Sequence, residues 1–161
     1  MRKYLIKEIE KRGLAVNRDN MVEVANDLRK KHSPSYLAEQ LFKQAERSGQ
    51  NCIIESLRTP GEVEALRKKG SFYLLAVDAD PKTRYNRIVQ RQSETDQVSF
   101  EEFLENEKRE MVSTDPNKQN LSKCIEMADF KLDNSGTIEE LYKQANNVLQ
   151  KIFNKSINYV F

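Results

Sequence analysis

The stretch NCIIESLRTPGEVEAL, Asn51 to Leu66, constrains the fold more than any other part of the chain. Thr59 and Glu62 have the spacing of a capping box, and Pro60 stands at the first helical position, so a helix begins there. Cys52-Ile53-Ile54, just ahead, is a short apolar run of the kind found in a strand buried on both faces. That strand ends in an acid, Glu55, and the turn beyond it carries a cation, Arg58. Open α/β sheets bind ligands outside the C-terminal tips of their strands. Glu55 and Arg58 are therefore the first candidate site residues. The plainer alternative is a strand with a surface acid and a surface arginine.

Further along, Lys68-Lys69-Gly70 closes the Thr59-capped helix, and Ser71 to Val77 reads as a second apolar strand. Two such strands joined by a helix form a right-handed βαβ unit with parallel pairing. Asp78-Ala79-Asp80-Pro81 ends the strand, and Asp80 caps the next helix. Phe130-Lys131-Leu132 is a third strand candidate, followed by the turn Asp133 to Gly136. Capping boxes recur at Ser99 with Glu102, opening a helix through Met111, and at Thr137 with Glu140, opening the last helix. Val112 to Leu121 reads as loop, and the polar segment Gln92 to Val98 as a mobile hinge.

Three helices precede the first strand. Tyr4 to Arg12 is stopped by Gly13, and Asn17 or Asp19 caps a helix with Met21, Val24, Ala25 and Leu28 inward. Ser33-Pro34 opens a third, with Leu37, Leu41 and Ala45 inward.

Composition removes several function classes. The 161 residues suit one domain, and an apolar content of 38% allows only a thin core. A net charge of +2 gives no case for a nucleic-acid or membrane surface. His32 is the single histidine, which nearly excludes histidine-based metal and triad chemistry, and it reads as a surface residue. Cys52 and Cys124 read as reduced core residues of a cytoplasmic protein. No apolar run spans a membrane, and the charged N-terminus lacks the apolar centre of a signal peptide.

Arg84, Arg87 and Arg91 stand at i, i+3 and i+7 on one helix, so their guanidinium groups share a face. The face is either solvated, with Tyr85, Ile88 and Val89 turned inward, or it meets an anion. Planar guanidinium donors suit phosphate, and with Arg58 at the same sheet edge phosphate is the favoured reading. Glu55 either holds magnesium, directly or through water, or accepts a proton from or orients an acceptor group. Asp78 and Asp80 are candidates by position alone. Glu105, Glu107 and Glu110, with Lys108 and Arg109, read as a solvated helix face.

The segments RGL (Arg12 to Leu14), VANDLRKKHSP (Val24 to Pro34), IIESLRTPGEVEALR (Ile53 to Arg67), LLAVDADPKTRYNRIVQR (Leu74 to Arg91) and ADFKLDNSGTIEEL (Ala128 to Leu141) carry a family likeness. Together they resemble the P-loop nucleotide kinases, in particular archaeal-type adenylate-kinase-related and dephospho-CoA-kinase-like proteins. The resemblance runs to about Ile152. It implies an α/β fold: a three-layer P-loop NTPase-like parallel sheet flanked by helices. It also implies a nucleotide-kinase-like domain over residues 1–153, a lid region over 84–120 and a tail over 154–161. By resemblance, Glu55 lies near magnesium and the acceptor, and Arg58 and Arg84 bind the acceptor phosphate. Arg87 and Arg91 close on the transferred phosphate. Asn134, Ser135 and Gly136 lie near the base of ATP. Family members usually read Asp-Gly-x-Arg where this chain has Glu55-Ser56-Leu57-Arg58.

The larger departure concerns the donor site. None of the five glycines begins a GxxxxGK pattern, which supplies backbone N–H groups and a lysine to donor phosphates. The family's first strand, phosphate loop and first helix are accordingly expected to be absent, leaving a vacant central slot in the sheet. Three readings remain open. One is a nucleotide-kinase relative that binds a nucleotide or coenzyme but transfers phosphate poorly as written. Another is a non-catalytic binding or regulatory protein, paired with a second chain or a dimer mate over the slot. The third is a helix-rich interaction module.

Overall fold

The computed structural model describes residues 1–91 and 98–157. Residues 92–97 of the expected hinge and 158–161 of the tail lie outside these. The first three helices follow their apolar stripes: α1 (Arg2–Lys11), α2 (Arg18–Lys31) and α3 (Tyr36–Ser48). Leu5, Ile9, Val24, Ala25, Leu28 and Leu37 pack into one core. Asn17 caps α2 by accepting from the Asn20 amide, as its position predicts. α3 begins two residues later than the Ser33-Pro34 reading. The Tyr36 amide donates to the Ser33 carbonyl, so Pro34 sits in a turn ahead of the N-cap, Ser35.

α4 (Pro60–Arg67) opens with the full capping box of Thr59 and Glu62. The expected strand before it does not form. Cys52 and Ile53 lie on the surface, with Ile53 96% exposed. A strand is held by ladder partners on its edges, and among the described residues none runs beside Cys52-Ile53-Ile54. The reading of Cys52 as a core residue falls with it. Cys124 is buried as expected, and burial pushes its thiol up to about 11.

The parallel pair is built instead from the second and third strand candidates. β1 (Leu75–Asp78) and β2 (Phe130–Asp133) pair in register from Leu75 with Phe130 to Asp78 with Asp133. β1 is shorter than the apolar run predicts, because the ladder starts only past Leu74. There the Leu74 carbonyl accepts from the Asp129 and Phe130 amides. Val63, Leu74 and Cys124 form a second, smaller core. The described residues thus form an α/β fold with a small two-stranded parallel sheet.

α5 (Pro81–Arg91) starts where Asp80 accepts from the Thr83 amide, and α6 (Phe100–Met111) carries the Ser99–Glu102 capping box. Tyr85 joins the two, its ring centre 5.1 Å from that of Phe100 and 5.7 Å from that of Phe103. α7 (Leu121–Glu126), capped by Asn120, was not expected. Its six residues are too few to show a helical period. α8 (Ile138–Ile157) extends beyond its apolar stripe into the tail. Among the described residues, no helix is long and apolar enough to cross a membrane.

Candidate functional site

Arg58 is fixed through its backbone before its side chain meets anything. Its amide donates to Glu62 Oε2 at 2.7 Å, and its carbonyl accepts from the Asn120 amide at 2.8 Å. Glu62 is held in turn by Arg29, whose Nε and Nη2 reach Glu62 Oε1 at 3.0 and 2.9 Å. Both side chains of that pair are fully buried. An acid in the first turn of α4 also suits the positive end of the helix. The loop bearing Arg58 is therefore tied to α2, α4 and α7 together.

The Arg58 guanidinium meets Glu110, with Nη1 2.7 Å from Oε2, and also reaches Gln119 Oε1 at 3.3 Å. The other carboxylate oxygen of Glu110 accepts from Arg18, at 3.1 Å from Nε and 2.7 Å from Nη2. One turn back on α6, Glu107 takes both Nε and Nη2 of Arg84, at 2.8 and 2.6 Å. That contact holds the Arg84 guanidinium above its ordinary pKa. Arg84 also donates to the Ala79 carbonyl and to Asp78. The acids of α6, read from the sequence as a solvated face, thus gather Arg18, Arg58 and Arg84. Two adjoining grooves open between α2 and the segment from Arg109 to Gln119. The inner one, of about 300 Å³, is lined by Asn26, Glu110, Lys118 and Gln119 among others. The outer one, of about 680 Å³, reaches Lys30 and Asn117.

The remaining candidates lie elsewhere. Arg87 turns to the loop after β2, donating to the Asn134 carbonyl at 2.5 Å and the Gly136 carbonyl at 3.1 Å. Ser135 Oγ accepts from the Asp80 amide at 3.1 Å, which ties the same loop to the start of α5. Arg87 and residues 134–136 are therefore one group, while Arg58 and Arg84 share α6. Arg91 closes α5 and is not a free cation. Glu55 is exposed and meets no hydrogen-bond partner among the described residues. Beside it Ser56 has φ +67°, the left-handed region that favours glycine.

The fit to magnesium and ATP is poor in this chain alone. Among the described residues no three acids, histidines or cysteines converge as metal ligands, and Glu55 supplies one carboxylate at most. Nothing in the sequence offers a phosphate-cradling glycine loop. No step through either group follows from these residues.

Sequence reasoning missed Arg18, Arg29 and Glu110, though two of them left a signal. Arg29 is four residues beyond Ala25 on the inward stripe of α2, and Glu110 is seven beyond the buried Phe103 on α6. A charge at a core position demands a partner. Arg18 had no such mark, since its partner is 92 residues away.

No family model matches the chain. Similarity to individual proteins is clear. A UPF0200 protein of Staphylothermus marinus is 30% identical over 138 residues, covering 86% of this chain and 70% of that protein. A UPF0200 protein of Methanocaldococcus jannaschii is 29% identical over 162 residues, covering 96% and 79%. One from Methanothermobacter thermautotrophicus is 31% identical over 130 residues, covering 80% and 65%. On this likeness, which spans most of the described helices and both strands, the chain belongs to the UPF0200 family.

Proposed function

We propose that the chain binds a phosphorylated nucleoside or coenzyme in the groove between α2 and α6, with Arg58 gripping its phosphate. The protein is then the acceptor side of a nucleotide-kinase-like P-loop fold, acting on a nucleoside monophosphate or dephospho-coenzyme A. The observation that carries this reading is the fixing of Arg58. Its amide and carbonyl are both bonded, at 2.7 and 2.8 Å, while its side chain, 36% exposed, holds Glu110 and Gln119, two residues that line the inner groove. A rigid backbone under a planar cation is the arrangement that recognises a phosphate bidentately. Grooves of about 300 Å³ and upward are in the range of small-molecule sites. Arg84 holds Glu107, one turn along α6 from the Glu110 that Arg58 holds. Turnover of ATP is not expected from the chain as written, because donor positioning carries much of phosphoryl transfer.

Isothermal titration with AMP, dephospho-coenzyme A and ATP, on the wild type and on Arg58→Ala, tests the reading. AMP or dephospho-coenzyme A is expected to bind, and to bind at least about tenfold more weakly without the guanidinium. Equal affinity with and without Arg58 removes the site.

A second reading has its own observation. Ile53 is 96% exposed and Val77 on β1 is 53% exposed, as apolar residues beside an unfilled strand position would be. On this reading the chain is a binding or regulatory protein whose open sheet position is covered by a second chain. Light scattering after size-exclusion chromatography separates the two, since a stable monomer that keeps nucleotide binding needs no covering chain.

A further inference from the structure

We infer that Arg18 and Arg58 together form a two-guanidinium anion site, and that Glu110 is its resident occupant, a carboxylate that a phosphate must displace. The inference rests on the phosphate-binding reading above and adds to it a second cation and an internal competitor.

Glu110 is badly placed by every local measure except its partners. Its side chain is 6% exposed. It sits in the last turn of α6, where the helix presents its negative end and disfavours an acid. Arg18 is the mirror case, a cation at the first position of α2, where the helix is positive. Each charge is unfavourable in its own helix, and they meet at 2.7 Å, with Glu110 itself lining the inner groove. Arg58 then adds a second positive charge, also at 2.7 Å. Two guanidinium groups on one carboxylate leave a surplus positive charge, and both arginines stay partly open, at 28% and 36% of their side-chain surface. Among the described residues, Nε and Nη2 of Arg58 take no partner, so its second edge is free for a second oxygen.

A phosphate dianion suits this pair better than Glu110 does. It brings one more charge and more acceptor oxygens for the two guanidinium groups. The competition has a definite sign: the resident carboxylate lowers affinity for any anion that uses Arg18 and Arg58.

The test is titration of inorganic phosphate and of AMP into the wild type, Glu110→Gln, Arg18→Met and Arg58→Met. Glu110→Gln is expected to bind both anions about tenfold more tightly, the scale set by removing one charge beside a partly exposed site. Arg18→Met and Arg58→Met are each expected to weaken both. Glu110→Asp keeps the charge but withdraws it by one methylene, and should lie between wild type and Glu110→Gln even if the glutamine variant folds poorly. Unchanged or weaker anion binding by Glu110→Asp overturns the inference, as does a loss confined to Arg58→Met with Arg18→Met at wild-type affinity. In both of those cases the Arg58 reading survives. Indifference of AMP to Arg58→Met removes that reading and this inference together.

Discussion

Glu62 and Glu110 are two carboxylates gripped by arginines, and the difference between them divides the molecule into a fixed part and a releasable part. Glu62 accepts from Arg29 through one oxygen and from the Arg58 and Thr59 amides through the other. Glu110 accepts from Arg18 through one oxygen and from Arg58 through the other. The chemistry is nearly the same. The surroundings are not: Arg29 is fully buried, whereas Arg18 and Arg58 are partly open to solvent and hold a carboxylate that lines a groove. Glu62 also stands at the favourable end of its helix and Glu110 at the unfavourable end of its own. A dry pair cannot be exchanged for a ligand without stranding a buried charge. A pair at a groove can, because water or an anion takes over as the carboxylate leaves.

The largest expected effect breaks the fixed pair. Glu62→Ala strands Arg29 and leaves the Arg58 and Thr59 amides without their acceptor, at a cost of about 3–5 kcal/mol. Against a typical stability of roughly 5–15 kcal/mol, that leaves a thin-cored chain close to unfolding. Urea denaturation measures it, and a loss under about 1 kcal/mol would mean that water reaches Arg29 and that the contrast with Glu110 is false.

Next in size is the same experiment on the releasable pair. Glu110→Gln is expected to cost about 1–2 kcal/mol, less than a dry pair, because both arginines regain water when the charge goes. Phosphate should also raise the urea midpoint of Glu110→Gln more than that of the wild type. Equal costs for the Glu62 and Glu110 variants would place both carboxylates in the fixed part.

A smaller effect concerns the loop that links the two pairs. Ser56 pays for its φ of +67° in backbone strain, and glycine adopts that conformation freely. Ser56→Gly is expected to stabilise the chain by about 0.5–1 kcal/mol, net of the greater freedom glycine has when unfolded. Destabilisation would show that the Ser56 side chain supports the loop and that the link is held from outside the two carboxylates.

How far the sequence foretold this arrangement depended on whether a signal was local. The capping boxes at Thr59, Ser99 and Thr137 were legible because cap and acid are three residues apart, and all three form. The stripes of α1 to α3 were legible for the same reason. Cys52-Ile53-Ile54 misled because a strand depends on neighbours that composition cannot supply, and here Ile53 meets solvent. At the site, Arg58 was visible beside a strong helix start. Its partner Glu110 was not, being 52 residues away on a helix whose charges look solvated when read in isolation. The reading of Arg84, Arg87 and Arg91 as one face was sound as helix geometry. It said nothing of where each guanidinium ends, and Arg84 and Arg87 end on different elements.

The smallest expected effect extends the comparison to a carboxylate that is partly open to water, 30% exposed. Asp27 on α2 holds Lys31 at 3.0 Å and Arg12 at 2.8 Å, clasping α1 to α2. The Lys31 contact first, and the Arg12 contact after it, hold its carboxyl below the ordinary value of 3.8. A folded value below the unfolded one means that the unfolded chain takes up the proton first as pH falls. The stability Asp27 contributes is therefore present above 3.8 and is lost as pH drops through the lower folded value. Asp27→Asn lacks this contribution at every pH. The difference in urea midpoint between wild type and Asp27→Asn should hold steady from neutral pH to about pH 5 and close below about pH 4. Added salt should shrink it, since solvent and ions screen an exposed pair. A difference that grows on acidification reverses the sign and removes Asp27 from the series. One that ignores salt would show the clasp shielded from solvent, closer to Glu110 than to an open surface.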